Sequence, residues 1–165
     1  MVLALIIAGI AKGCGNDEPT SSPVTTTTGT TSGGTTSTAD TKGEAVIASI
    51  NQAITAGGGI QFATGQTTLT DKSKTTLDAV ADILARNPTV NAEVGGHTDT
   101  QGDADKNKEI SQQRAQAVVD YLVGKGIKPS QLAAVGYGET QPLEPDDTTE
   151  ALREKNRRVE FKLLP

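Results

Sequence analysis

A chain of 165 residues with a net charge of −5 has room for one ordinary domain and one non-globular appendage. Its acidic balance argues against binding to nucleic acid, because clustered Lys and Arg supply most of that affinity. Trp is absent and the aromatic residues are two Phe and two Tyr, so we expect no platform on which bases or sugar rings stack. One His, one Cys and no phosphate-binding glycine loop predict a protein that is not an enzyme and needs no metal or cofactor.

The N-terminus has the pattern of an export signal that ends at a cysteine. An apolar run covers residues 2–11, which is too short for a membrane-spanning helix of about 20 residues but typical of the hydrophobic part of a signal peptide. Gly13 precedes Cys14, an arrangement that resembles the lipobox of bacterial lipoproteins, in which the Cys is acylated. Residues 1–14 are therefore predicted to be a signal peptide with Cys14 as the lipidation site. The alternative is an unmodified Cys in a cleaved signal peptide.

Residues 15–43 are predicted to be a disordered linker. They are dominated by Thr, Ser and Gly, including the run at residues 25–28, and contain almost no large apolar side chain. Such a segment buries too little surface to offset the entropy lost on ordering. It would give an anchored domain slack to reach a polymer that lies away from the membrane surface. The folded domain is predicted to cover residues 44–165.

The first half of this domain reads as helix, short strand and helix. Apolar spacing predicts a helix over residues 44–54, which glycines 57–59 end. Residues 60–63 alternate and predict a first strand. Thr70 is a suitable N-cap for a second helix, which Asn87 and Pro88 stop. The apolar stripe expected on that helix is Leu77, Val80, Ala81 and Leu84.

The second half alternates strand and helix. Residues 90–94 alternate and predict a half-buried strand, and residues 105–123 predict a long helix. Residues 132–137 and 159–163 predict two further strands. The core stripe expected on the long helix is Ala115, Val118, Val119 and Leu122. This order favours an α+β fold, an α/β sandwich in which a mixed sheet carries its helices on one face.

A candidate binding site follows from side-chain chemistry at the end of the second predicted strand. Asp99 lies where the strand meets the loop before the long helix, the position at which α/β folds place ligands. Asn107 and Arg114 are seven residues apart, about two helical turns, so they share one face of that helix. A carboxylate, an amide and a guanidinium would then face one spot. Such a set suits a zwitterionic ligand, with an ammonium on Asp99 and a carboxylate on Arg114.

Several motifs occur in a fixed order along the domain. They are His-Thr-Asp at residues 97–99, Ser-x-x-Arg-Ala at 111–115, Gly-Tyr-Gly-Glu at 136–139 and Asn-Arg-Arg-Val-Glu at 156–160. In this order they resemble the OmpA-like C-terminal domain, a peptidoglycan-binding module of bacterial envelopes, over roughly residues 60–164. The resemblance implies a β-α-β-α-β-β layout with the last strand antiparallel to its neighbour.

The resemblance also implies a ligand. Asp99 and Arg114 match the two family positions that grip the diaminopimelate of a peptidoglycan stem peptide, and Asn107 accompanies them. Strand alternation points Arg157 and Arg158 to opposite faces, so one of them reaches the site, and the family pattern favours Arg158. The expected partners are peptidoglycan and, through a lipid anchor, a membrane. The expected location is the cell envelope, on the outer membrane or cell membrane facing the wall.

Other interpretations stay open at this point. Asp99 and Arg114 could form an ion pair that only fixes the loop. The domain could be a structural or interaction module that no longer binds the wall. An enzyme would need a second carboxylate beside Asp99, but Glu93 is expected on an exposed strand face and Asp103 in the loop. His97 has no second His or Cys with which to complete a zinc site, so we expect it to orient the loop.

Overall fold

The structure is a computed structural model, and it describes residues 38–63 and 66–165. Four α-helices and three β-strands make up these residues, with a short 3-10 turn before the second strand. The helices are α1 (Thr38–Ala56), α2 (Asp71–Ala85), α3 (Ala104–Gly124) and α4 (Glu150–Asn156). The strands are β1 (Asn91–His97), β2 (Leu132–Gly138) and β3 (Val159–Leu164). No helix in these residues is both long and apolar enough to cross a membrane.

The three strands form one mixed sheet in the order β2-β1-β3. Strand β1 is parallel to β2, to which α3 connects it, and antiparallel to β3. This confirms the predicted α+β fold class and the antiparallel last strand. The register between β1 and β2 shifts between Gly96 and His97, so a bulge lies where β1 leads into the candidate site.

The helices cover one face of the sheet. Ala92 and Val94 of β1 and Phe161 of β3 are buried on that side, together with the two predicted helical stripes. Gly96 and Gly136 let α3 approach closely, since a Cβ at Gly136 would lie 2.4 Å from the backbone nitrogen of Gln112. The opposite side of the sheet, which we call the open face, carries the side chains of Glu93, Tyr137, Glu160 and Lys162.

Two side-chain amides block the outer edges of the sheet. Gln112 of α3 accepts from the backbone nitrogen of Gly136 at 2.6 Å and donates to the carbonyl of Ala134 at 3.1 Å. Asn51 of α1 bonds both backbone groups of Phe161 on β3, at 2.8 and 3.0 Å. Each amide therefore occupies a place where a further strand could pair.

Three sequence predictions about elements need correction. Residues 60–63 form no strand of the sheet; Phe62 makes a single isolated bridge to Leu69. The reason is that Ser73 Oγ of α2 bonds both the nitrogen and the carbonyl of Gln61, at 2.7 and 2.8 Å, so a neighbouring strand is not needed. Helix α4 was not predicted. The first helix begins at Thr38 rather than residue 44, and Gly43 packs tightly against Leu163 of β3.

Other boundaries agree with the sequence. Thr70 caps α2, accepting from the nitrogen of Ser73 at 3.3 Å. Asp103 caps α3 in the same way through the nitrogen of Lys106 at 3.1 Å, which starts that helix one residue before the predicted position. Gly126 has a φ of +95° just beyond the end of α3, where a left-handed residue is expected.

Candidate functional site

Asp99 lies two residues beyond the end of β1 and is largely buried, with 12% of its side chain exposed. Its Oδ1 accepts from the backbone nitrogen of Gln101 at 3.2 Å. Its Oδ2 accepts from Nη1 of Arg157 at 2.5 Å. A buried carboxylate is costly unless it is paired. The bond to Arg157 supplies that pairing, so the alternative in which Asp99 forms its ion pair with Arg114 does not hold.

Arg157 and Arg158 lie in different surroundings, and the structure reverses the sequence prediction about them. Arg157 reaches Asp99 and also donates through Nη2 to Glu150 at 2.5 Å, and these contacts raise its pKa, the hydrogen bond to Asp99 most of all. Arg158 instead donates to Glu160 on the open face at 3.2 Å. The arginine beside Asp99 is therefore Arg157 rather than Arg158, which the sequence favoured.

Arg114 lies in α3 about two turns beyond Asn107, as predicted, and its guanidinium is 5.1 Å above the ring of Phe62. Nε of Arg114 is buried, and no acceptor among the described residues hydrogen-bonds to it. Burial lowers the pKa of Arg114, the positive charge of Arg157 lowers it further, and Asp99 partly offsets both. An arginine remains protonated at neutral pH despite such a shift. The side chain is thus a charged donor without a hydrogen-bonded acceptor in the described part of the chain.

Asn107 is buried in the first turns of α3, where its amide nitrogen lies near three acceptors. They are the carbonyls of Asp99 and Gln101, at 3.3 and 3.2 Å, and Oε2 of Glu139 at 2.8 Å. These contacts hold the loop that follows β1. Asn107 therefore supports the position of Asp99, and its NH2 group is directed to protein acceptors rather than to the cleft.

A cleft of about 470 Å³, which we call cleft 1, opens beside Arg114 and Arg157. Its volume is in the range of pockets that hold small molecules. Two guanidinium groups meet there, and Glu154 is the carboxylate of the lining. The remaining lining residues are Ile60, Gln61, Phe62 and Ala63. The wall is therefore part apolar and part cationic.

A second carboxylate fixes the backbone next to Asp99. Oδ2 of Asp147 accepts from both the backbone nitrogen and the hydroxyl of Thr100, at 2.7 and 2.8 Å. The bond from the Thr100 nitrogen is the largest cause of a lowered pKa at Asp147. Arg153 donates to the carbonyl of Asp147 at 3.2 Å and to Glu150 at 3.0 Å. The loop before α4 is thereby tied to the loop that carries Asp99.

The matches to known proteins fit this arrangement of residues. The OmpA family matches residues 61–157, which is more than half of the chain. The chain belongs to the OmpA family. Relatives of the OmpA-family chain include outer membrane porin F of Pseudomonas fluorescens, 49% identical over 49% of this chain and 24% of the relative. The peptidoglycan-binding protein ArfA of Mycobacterium tuberculosis is 38% identical over 69% of this chain and 35% of its own.

Solved structures show the same fold. The peptidoglycan-associated lipoprotein of Burkholderia pseudomallei matches with a TM-score of 0.59 and 27% identity, over 64% of this chain and 88% of its own. The cell wall anchor of the type VI secretion system (T6SS) of Pseudomonas aeruginosa matches with a TM-score of 0.55 and 30% identity, over 62% and 73%. This OmpA-family chain spans less than half the length of the curated relatives named above.

The other predicted residues of the OmpA-family chain fall outside cleft 1. His97 is buried, stacks on Tyr137 with ring centroids 5.1 Å apart, and has Nε2 3.2 Å from Glu160, although the angle is not that of a hydrogen bond. Glu93 accepts from the Tyr137 hydroxyl on the open face. No cluster of metal-ligating side chains occurs in residues 38–63 and 66–165. Cys14 and the predicted signal peptide and most of the linker lie outside the described residues.

Sequence reasoning missed Phe62 and Glu150, and it favoured Arg158 where Arg157 is the arginine that contacts Asp99. Phe62 was assigned to a strand, yet its ring supports the guanidinium of Arg114. The position of Glu150 at the start of a helix could have been predicted, because Thr149 is a suitable N-cap and Glu150 a favourable first-turn residue.

Proposed function

We propose that this OmpA-family domain binds peptidoglycan without a covalent bond, by holding the diaminopimelate of its stem peptide in cleft 1. The observation that carries the proposal is the guanidinium of Arg114, which is partly buried beside the cleft without a hydrogen-bonded acceptor among the described residues. A buried donor without a partner has an unmet hydrogen-bonding capacity. A ligand carboxylate would meet it with a charge-assisted bond.

The ammonium of the ligand would go to Asp99. Its carboxylate has two oxygens with about four acceptor positions, of which Gln101 and Arg157 use two. Arg157, held by Asp99 and Glu150, would stay in place as a second cation near the ligand carboxylate. The ligand that fits carries an ammonium and a carboxylate on one carbon, which is the free end of diaminopimelate in a stem peptide.

Relatives support the wall as the partner. ArfA is named a peptidoglycan-binding protein, and two structural relatives are a peptidoglycan-associated lipoprotein and a cell wall anchor. A further relative, 35% identical over 64% of this chain and 48% of its own, is the probable lipoprotein YiaD of Escherichia coli. We therefore place the chain in the cell envelope, with Cys14 as lipid anchor and the Thr-rich segment as the tether between membrane and wall.

Binding to purified peptidoglycan sacculi tests the function. Arg114→Ala and Asp99→Ala should each weaken binding by about 2–5 kcal/mol, roughly 30-fold to several thousand-fold, because each leaves a ligand charge unpaired. Arg86→Ala is the matched control, since it removes the same charge at the exposed C-cap of α2. Free diaminopimelate should compete with sacculi, and lysine should compete less because it lacks the second carboxylate.

Two results would contradict the proposal. If Arg114→Ala and Asp99→Ala bind sacculi as tightly as the parent, the cluster is only structural, and the domain is an interaction module that does not bind the wall. If Arg86→Ala weakens binding as much as Arg114→Ala does, the attraction is a general effect of charge rather than of cleft 1.

A further inference from the structure

One charged residue in the lining of cleft 1 has no part in the binding mode proposed for diaminopimelate. Glu154 lies in the last turn of α4 and forms part of the cleft wall beside Arg157. Its side chain is exposed, and it makes no hydrogen bond or ion pair with any residue that the structure describes. The other charged residues of α4 all have ion-pair partners, and they are Glu150, Arg153 and Lys155. The free carboxylate of this helix is therefore the one that lines the cleft.

The position of Glu154 is unfavourable for the helix that carries it. The last turn of a helix has a partial negative charge, so a carboxylate there is destabilising whereas a cation is stabilising. Arg157, three residues further on, is at the spacing of an ion-pair partner, but its guanidinium is bonded to Asp99 and Glu150 instead. The fold therefore leaves the charge of Glu154 uncompensated. Local conflicts of this kind are expected at positions that serve binding.

Cleft 1 keeps one unpaired charge of each sign. Two carboxylates and two arginines balance one another through three ion pairs, and they are Asp99, Glu150, Arg153 and Arg157. The charges of the lining that remain are the cation of Arg114 and the anion of Glu154. These two groups line the same concavity but form no ion pair with each other. A ligand that carries a carboxylate and an ammonium close together can lie between them and pair with both.

We propose that Glu154 is a specificity-determining residue of cleft 1, where it accepts the ammonium of the ligand whose carboxylate Arg114 holds. The inference rests on the proposed function, which supplies the ligand, and it adds a second acceptor to Asp99. An ammonium has three donors, so two carboxylates can share it. Asp99 is bonded to Arg157 and only 12% exposed, whereas Glu154 is unpaired and lines the cleft. Glu154 therefore favours a ligand with an ammonium beside its carboxylate and repels a carboxylate that stands alone.

The test removes the charge of Glu154 and the ammonium of the ligand separately. Pimelate has the two carboxylates and the carbon chain of diaminopimelate but no ammonium. In calorimetric titrations of the full chain, Glu154→Gln should weaken the binding of diaminopimelate about fivefold, the upper range for an ion pair that is partly exposed to solvent. The affinity for pimelate should stay within about twofold or increase, because only a repulsion is removed. Glu44→Gln, an exposed position on α1 outside the lining, is the matched control and should change neither affinity.

The same comparison can be made on the cell wall. Acetylation of the free amino groups of sacculi converts each ammonium into a neutral amide and leaves the carboxylates in place. The parent chain should bind native sacculi more tightly than acetylated sacculi. The ratio of these two affinities should be about fivefold smaller for Glu154→Gln than for the parent, because this variant has lost one of the two ammonium acceptors. Any steric effect of the acetyl group is common to both chains and cancels in the comparison.

The outcomes separate the two proposals. If the parent binds diaminopimelate and sacculi and Glu154→Gln binds both equally well, the role of Glu154 is refuted and the proposed function stands. Equal losses for diaminopimelate and pimelate, or an equal loss in Glu44→Gln, refute that role in the same way. If the parent binds neither diaminopimelate nor sacculi, the proposed function fails and the role of Glu154 fails with it. Unfolding does not confuse the result, because Glu154→Gln relieves the charge conflict in α4 and should be at least as stable as the parent in urea titrations.

Discussion

Cleft 1 and the open face of the sheet are both rich in charge, and both receive one arginine from the same pair of residues. On the open face, Glu160 is in contact with Arg158, Lys162 and His97, and Lys162 also lies 4.5 Å from the ring of Tyr137. At cleft 1, Arg157 pairs with Asp99, which is not among the lining residues, and the guanidinium of Arg114 lies against the face of the Phe62 ring.

The difference between these two regions lies in the pairing of their cations and in shape. On the open face, Arg158 and Lys162 are both paired with Glu160, so these interactions contribute to the folded state itself. In cleft 1, Arg157 is paired with Asp99 and Glu150, whereas Arg114 has no carboxylate partner among the described residues, and both arginines line a concavity. A site that is ready for an anion should have these two properties together. Charge density alone does not distinguish a binding site from a surface network.

The strongest test of this comparison removes each of the two arginines in turn and measures binding to the wall. Arg157→Ala should weaken binding to sacculi by about 2–5 kcal/mol, because it removes one ligand cation and leaves Asp99 buried without its partner. Arg158→Ala removes the same charge one residue later, on the open face, and should leave wall binding within about twofold of the parent. Equal losses in a sedimentation assay would mean that the two regions are not functionally distinct.

A second prediction concerns the close packing that brings Arg114 to the site. Gly136→Ala would place a Cβ 2.4 Å from the backbone of Gln112, so α3 must move away from the sheet. Overpacking of this kind costs typically about 1–3 kcal/mol in the free energy of unfolding, which urea titration measures. Because α3 carries Arg114, binding to sacculi should fall as well. Gly124→Ala is the control, since no atom lies within 4 Å of its Cβ position. Equal stability of the two variants would contradict the packing argument.

The helices and the motif residues could be predicted because each rests on several residues of the sequence that agree, as an apolar stripe or as a series of motifs in order. The stripe of four apolar residues on α2 and the one on α3 are each confirmed as buried. Asp99 was placed correctly just beyond the end of β1, and Arg114 about two turns after Asn107 in α3, since these positions follow from element boundaries. The family was identified from several motifs in order, and the match over residues 61–157 confirms it.

The missed features depend on single side chains rather than on periodicity. Residues 60–63 alternate like a strand, but a hydroxyl of Ser73 takes the backbone bonds that a strand would use. Helix α4 has seven residues and too few apolar positions to show a stripe. Strand alternation correctly predicted that Arg157 and Arg158 point to opposite sides. It could not predict which side each of them faces, because β3 begins at Val159 and Arg157 is the C-cap of α4.

The smallest expected effect is the pH dependence that the open face gives to the free energy of unfolding. The contact with His97, and next to it Lys162, holds the pKa of Glu160 well below its usual value near 4.5, although burial opposes the shift. A lowered pKa in the folded state means that the unfolded chain takes up the proton first as the pH falls. The contribution of Glu160 to the free energy of unfolding is therefore present above about pH 4.5 and is lost progressively below it.

Glu160→Gln should be less stable than the parent at pH 7, and the difference in their free energies of unfolding should shrink by pH 3 in urea titrations. Glu109→Gln, on the exposed surface of α3, is the control, and an identical narrowing there would remove Glu160 as the cause. Binding of Glu160→Gln to sacculi at pH 7 should match the parent, because the open face contributes to stability and cleft 1 to recognition.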